Sequence, residues 1–286
     1  MRSSLKTFLI TLFTLGSLTV HAQKSKPLFP EAPGIVSYTY RKDFQKDMAS
    51  TLDIVKQNGI TDIEFSNLFG RTADDIRKLL DERGIKCSSF GVNYEDAVEK
   101  TEVVAANAKK LGAIYVRVAA IPHKGKFTLA DAKGAVETFN CVGKTLKEKY
   151  GLTFIYHNHG FEFEPYEDGT LYDYIVKNTD KRYVSFELDI LWAFFPGQNP
   201  AELIKHYPKR YKTLHLKDLR KGVQGNLSGG TSVENDVVLG TGQIDIPAVI
   251  KAAKKAGIKH YYIEDESSSS LTQVPLSIAY LQGLKK

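Results

Sequence analysis

Residues 154–165 read FIYHNHGFEFEP, an apolar run that closes on His157, Asn158 and His159 before Gly160 and the carboxylates Glu162 and Glu164. Side chains alternate faces along a strand, so His157 and His159 point one way and Asn158 the other. Imidazoles at that spacing can hold a metal or move protons, and they can equally be two ordinary hydrogen-bonded histidines. Other β-like runs also end on polar groups: Glu64 in TDIEFSN, Arg117 in AIYVRVAA, Glu187 and Asp189 in YVSFELDIL, His215 and Lys217 in YKTLHLKDL, Glu264 and Glu266 in KHYYIEDE. Gathered in one dry funnel, these charges would be costly without internal pairing or a cation. A divalent ion answers that cost, and mixed imidazole and carboxylate donors suit Mn, Zn, Co or Fe better than Mg or Ca, which favour oxygen alone. Plainer roles compete at two positions, since Glu187 can pair with Arg117 and Glu64 can close a strand-end hydrogen-bond network. Asp189, His215 and Glu264 fall on successive units, a coincidence that core packing does not favour. Trp192, three residues past Asp189, is either core or a sugar-stacking wall.

What must position these groups is a set of short runs rich in Val, Ile and Tyr that alternate with helical patterns, the signature of β/α units around a parallel sheet. The strands predicted are GIVSYTY, TDIEFSN, IKCSSFGVN, AIYVRVAA, LTFIYHNH, YVSFELDIL, YKTLHLKDL and KHYYIEDE. Eight is the number that closes a single (β/α)8 barrel. Amphipathic stretches between them, among them DFQKDMASTLDIVKQNG, TADDIRKLLDERG and DIPAVIKAAKKAG, end on the stop residues Gly59, Gly84 and Gly257. In YVSFELDIL, Val184, Phe186 and Leu188 share one face while Ser185, Glu187 and Asp189 share the other. YKTLHLKDL sets Leu214 and Leu216 against Thr213, His215 and Lys217. A barrel accounts for the division: the apolar face packs under the helices, the other looks inward, and its last layer opens at the C-terminal mouth where such barrels keep their active sites.

The chain opens MRSSLKTFLITLFTLGSLTVHAQ, with Arg2 and Lys6 before an apolar run and a small-residue cleavage site at Ala22. That pattern predicts a secretory signal peptide over 1–22, a barrel domain over 23–286, and export to the periplasm or beyond. No later run approaches the roughly 20 apolar residues of a membrane span, so no membrane association is expected after cleavage. Without residues 1–22 the chain keeps 37 basic against 33 acidic residues, a net +4. The charge is scattered and not interleaved with aromatics, which argues against nucleic acid. Cys87 and Cys141 show no framework spacing and are expected to be small buried residues.

The order of TDIEFSN, YHNHGFEF, ELDILWAFFPGQNP, YKTLHLKD, VVLGTGQIDIPAVI and YYIEDE resembles the xylose isomerase-like TIM-barrel superfamily, in its sugar phosphate isomerase/epimerase branch, from about Gly34 to Leu284. The resemblance implies one divalent ion, manganese foremost, held by a Glu, an Asp, a His and a Glu on strands 5 to 8. Asp189, His215 and Glu264 match three of these positions, and the fourth falls on His157, a departure. In ketose epimerases of this type both metal-bound glutamates exchange protons with the substrate carbon. A histidine in place of one sets that two-base scheme aside, and branches similar to inosose dehydratase share a His-rich strand 5.

The expectation is a sugar isomerase or epimerase working through an enediolate on a non-phosphorylated sugar or keto-sugar, with a keto-sugar lyase or dehydratase as the alternative. A non-catalytic exported sugar-binding barrel is a third reading, and a metal-dependent nuclease a fourth that export disfavours. Glu264 is expected as ligand and base, His157 or His159 as second proton carrier, and Lys217 as the anchor of a substrate oxygen. Glu64, Arg117, Glu187 and Trp192 are expected to face the carbohydrate. The stretch GVQGNLSGGTS, Gly222 to Ser232, is either a flexible lid or an anion site, and self-association into a homo-oligomer stays open.

Overall fold

The computed structural model describes residues 27–29 and 32–285, so the predicted signal peptide lies outside the described residues. Eight parallel strands close a barrel: β1 (Gly34–Val36), β2 (Asp62–Phe65), β3 (Lys86–Val92), β4 (Tyr115–Val118), β5 (Thr153–His157), β6 (Val184–Asp189), β7 (Tyr211–Leu216) and β8 (His260–Ile263). Each falls within its predicted run. Register places His157 beside Glu187 and Asp189 beside His215, so the polar ends of β5, β6 and β7 share one rim. The helices that follow the strands are α1 (Met48–Gln57), α2 (Ala73–Asp81), α3 (Thr101–Leu111), α4 (Leu129–Tyr150), α5 (Leu171–Asn178), α6 (Pro200–His206), α7 (Ile246–Ala256) and α8 (Ser270–Gly283). Among the described residues no helix is long and apolar enough to cross a membrane.

Local chemistry sets the boundaries. Thr128 and Asp131 form a capping box at the start of α4, as Thr170 and Asp173 do for α5, each pair satisfying backbone N–H groups that the first turn leaves free. The predicted helix over DFQKDMASTLDIVKQNG is two: Arg41–Lys46 ends where Asp47 turns extended, and the Asp47 carboxylate then accepts from the Ser50 N–H to cap α1. Val184, Phe186, Leu188, Leu214 and Leu216 are buried in the layer between sheet and helices. Cys87 is buried as expected, whereas Cys141 is exposed, because α4 turns that position away from the sheet. One close approach bears on the site: a Cβ at Gly91 on β3 would stand 2.7 Å from Nη2 of Arg117, so only glycine leaves that guanidinium room.

Candidate metal centre

At the C-terminal rim, His157, Asp189, His215 and Glu264 each offer one donor atom, all within 4.8 Å of one another and all buried. His215 Nδ1 lies 2.8 Å from Glu264 Oε2 and 3.2 Å from His157 Nε2, and Asp189 Oδ2 is 3.5 Å from His157 Nε2 and 3.9 Å from His215 Nδ1. Asp189 spends its other oxygen on the Trp192 N–H at 2.8 Å, while Oδ2 is buried with no hydrogen-bond partner. A carboxylate oxygen left bare opposite two imidazole nitrogens is what a cation site presents before it is filled, and the two-nitrogen, two-oxygen set fits a divalent transition ion.

Two residues to which the sequence reading gave no role, Asn158 and Glu162, fix this rim. Asn158, facing away from the barrel as its register requires, donates from Nδ2 to the Asp189 carbonyl at 3.2 Å and accepts the Asp189 N–H on Oδ1 at 3.1 Å. The buried Glu162 carboxylate accepts the N–H groups of His159 and Gly160 and the hydroxyl of Tyr156, locking the turn after β5. The signal for both was the polar run NHGFE on the end of a buried strand.

Burial and the charge of His215 push His157 down to about 3, and burial with His157 pushes His159 down to about 3, so both rings are neutral at pH 7. Each therefore starts as a neutral base, able to take up a proton but not as an imidazolium acid. Burial raises Asp189 to about 6. Against the pull of burial, Lys217 and His215 hold Glu264 well below the usual carboxylate range. Burial lowers and the Glu187 and Glu264 carboxylates raise His215, which ends well above its ordinary value.

Beneath this ring Glu64, Arg117 and Glu187 form an inner layer. Arg117 donates from Nε to Glu64 Oε1 at 2.9 Å, its Nη2 pairs with the same oxygen at 2.8 Å, and its Nε is 3.6 Å from Glu187 Oε2. Ser89 and Thr213 hydroxyls donate to Glu64 and Glu187, each at 2.6 Å. Glu64 and Glu187 were expected to face the carbohydrate. Both are fully buried and neither lines the mouth, because a carboxylate one layer down is within reach only of other barrel-interior groups.

The mouth is a cavity of about 670 Å³ lined by Arg117, His157, His159, Trp192, His215 and Glu264, with Tyr38, Asn67, Asn93 and Glu266 around it. Trp192 stacks on His159 with ring centres 6.2 Å apart and planes 28° apart, so the indole is one wall of the opening. Lys217 was expected to anchor a substrate oxygen, yet it does not line the cavity. It is buried behind it, 2.5 Å from Glu266, 3.6 Å from Asp236 and 3.9 Å from Glu264, with Nζ 5.4 Å from the centre of the Trp192 ring. Its contacts Glu264, Glu266 and Trp192 line the cavity instead.

The segment after β7 reaches the mouth through Gly229, which packs on His159 and Phe161. Its polar backbone is turned inward on itself: Ser228 N–H donates to Asn226, and Gly230 N–H to the Ser228 hydroxyl. The neighbouring glycine-rich turn of LGTGQID aims the N–H groups of Gly240, Gly242 and Ile244 at one carboxylate, that of Asp218, at 2.9, 3.0 and 3.1 Å.

Comparison with known proteins agrees with this fold. Inosose dehydratase of Clostridium perfringens is 27% identical over 170 residues, 54% of this chain and 54% of that protein, so the chain spans about half the length of the curated relatives it first matches. A sugar phosphate isomerase/epimerase structure from Parabacteroides distasonis superposes with a TM-score of 0.72 at 27% identity, covering 89% of this chain and 94% of that one. The structure of an IolI protein with a zinc atom superposes at 0.69 and 16% identity, over 88% and 95% of the two chains, a likeness of fold. The sequence profile of the xylose isomerase-like TIM barrel matches residues 52–283, and the chain belongs to that family.

Proposed function

We propose that the protein is a metal-dependent lyase that removes a β-oxygen substituent from a keto-sugar. The observation that carries this reading is the composition of the donor ring at the mouth: His157, His215 and Glu264 reach the cavity, and Glu264 is the ring's one carboxylate there. An epimerase that works with two opposed carboxylates needs a second one where His157 stands. The inosose dehydratase relatives support elimination as well.

His157, Asp189, His215 and Glu264 would hold the ion. A divalent ion in that ring supplies a Lewis acid for a carbonyl oxygen, which makes the neighbouring C–H acidic. Glu264, kept ionised by Lys217 and His215, takes the proton from that carbon. The electron pair forms a C=C conjugated with the carbonyl as the C–O bond at the β carbon breaks. Glu264, now a carboxylic acid, returns its proton to the departing oxygen, so the net loss is water or an alcohol. Neutral His159 and the Trp192 wall orient the ring, and Asn67 and Asn93 can bond its hydroxyls. Lys217 and Glu266 set the electrostatics behind Glu264.

Two features support a substrate without phosphate. Among the described residues Arg117 is the one arginine or lysine lining the mouth and is committed to Glu64, as the His215 ring is to its carboxylates, and the glycine-rich turn that could cradle a phosphate is filled by Asp218. Export through the predicted signal peptide points the same way, since sugar phosphates are made and kept inside cells. The test is to incubate the protein, loaded with Mn or Zn, with keto-sugars in deuterated buffer. Growth of conjugated-enone absorbance with loss of the β-substituent is expected. A product that keeps every oxygen and differs in configuration or carbonyl position would establish the isomerase or epimerase reading instead, which the likeness to the Parabacteroides distasonis structure keeps in view.

A further inference from the structure

The metal-facing nitrogen of His215 is Nδ1, 2.8 Å from Glu264 and 3.2 Å from His157. An imidazole presents a lone pair on that atom only when its proton sits on the other nitrogen, and the partner of the other nitrogen decides this. His215 Nε2 has two carboxylate oxygens at 3.1 Å, Glu64 Oε1 and Glu187 Oε2. They are not equivalent. The Glu64 oxygen meets hydrogen-bond geometry, whereas Glu187 Oε2 is buried with no hydrogen-bond partner and so lies off the line of the N–H.

Glu64 also reaches His215 from the far side of the barrel, 151 residues away in sequence, and is itself immobilised. Its Oε1 accepts from Arg117 Nε and His215 Nε2, which fills that oxygen's two lone pairs, its Oε2 accepts the Ser89 hydroxyl, and Arg117 Nη2 adds an ion-pair contact at 2.8 Å. A second cation among Glu64, Glu187 and His215, whose donor atoms also converge, would have to displace this guanidinium. The inner layer therefore works as a rigid acceptor for the ring above it.

We propose that Glu64 is the positioning residue of the metal centre: by accepting the Nε2–H of His215 it fixes the ring's tautomer and orientation so that Nδ1 is offered to the cation. This rests on the reading of the ring as a metal site but not on which reaction follows.

The test uses the whole protein and zinc alone. Nitrogen-15 spectra of the histidine rings in the zinc-loaded wild type should show His215 with a slowly exchanging proton on Nε2 and zinc on Nδ1. Zinc on Nε2 would overturn the inference and leave the metal reading standing; a wild type that takes up no zinc removes both. Glu64→Gln keeps an oxygen toward Arg117 and His215 and turns its amide to the Ser89 hydroxyl, so its zinc affinity should stay near that of the wild type. Glu64→Leu should bind zinc about 10- to 100-fold more weakly, the usual effect of losing such a partner. Equal affinity in the Leu variant, or equal loss in the Gln and Leu variants, would overturn the assignment. Because the Leu variant strips Arg117 of its main partner and can unfold the barrel, the wild-type spectrum and the Gln variant decide on their own.

Discussion

Each member of the ring at the mouth differs in what it can give up. Glu264→Gln keeps an oxygen for a cation but cannot take a proton, so kcat should fall by about 10²- to 10⁴-fold while substrate binding, read by calorimetry, is retained. Asp189→Ala removes the bare Oδ2 and should lose the metal itself, seen by elemental analysis. Near-normal turnover in the Gln variant would reject Glu264 as base. A second prediction follows from protonation. His157 is neutral down to about pH 3 whereas His215 is held protonated by Glu187 and Glu264, so zinc must displace one imidazole proton, not two. Metal competes with protons, and raising the pH therefore favours it: below about pH 6 the Asp189 carboxyl must give up a proton as well, and between pH 7 and 8, where it is already ionised, affinity should climb about tenfold per pH unit (one proton released). A hundredfold climb per unit would mean that His157 is charged as well. The ring's members were legible in the sequence because a strand's period of two marks every inward residue near a strand end. Depth was not legible: nothing in TDIEFSN or YVSFELDIL tells that Glu64 and Glu187 stop a layer below the cavity, since that depends on barrel register.

Strands and their order could be read from the alternation of apolar runs and helical patterns, and the stops at Gly59, Gly84 and Gly257 all adopt positive φ in the structure. Interruptions driven by one side chain were harder to see, as at Asp47, where one residue inside a helical pattern turns extended and caps a new helix. The loop after β7 shows a similar dependence on tertiary context. A Cβ on Gly225 would stand 1.6 Å from the Phe195 carbonyl oxygen, and one on Gly229 would stand 2.9 Å from the Phe161 ring, so the loop's seat against the mouth requires glycine at both. We expect Gly225→Ala to lift the loop and raise KM about tenfold, roughly 1.4 kcal/mol. Its melting temperature should barely move, because the segment is largely exposed. Unchanged steady-state constants would show that the loop takes no part in holding substrate.

For the molecule as a whole, the proposal joins an exported barrel to an uncharged sugar. The mature protein recovered from outside the cytoplasm should begin near Gln23 by mass spectrometry, and full-length protein confined to the cytoplasm would contradict export. The matched comparison is kcat/KM on a free keto-sugar and on its phosphate ester. We expect the free sugar to be preferred, and a hundredfold preference for the ester, about 2.7 kcal/mol of transition-state binding, would overturn that choice. The Asp218 carboxylate, collared by the N–H groups of Leu219, Gly240, Gly242 and Ile244, supports the expected direction of the preference. A phosphate arriving from solution would not meet an empty cradle. It would compete with an anion tethered to the end of β7, whose effective concentration is millimolar or more on the scale of short tethers. Discrimination of that kind needs no steric block: it is set by mass action, and it would relax as soon as the tether carried a smaller, uncharged side chain.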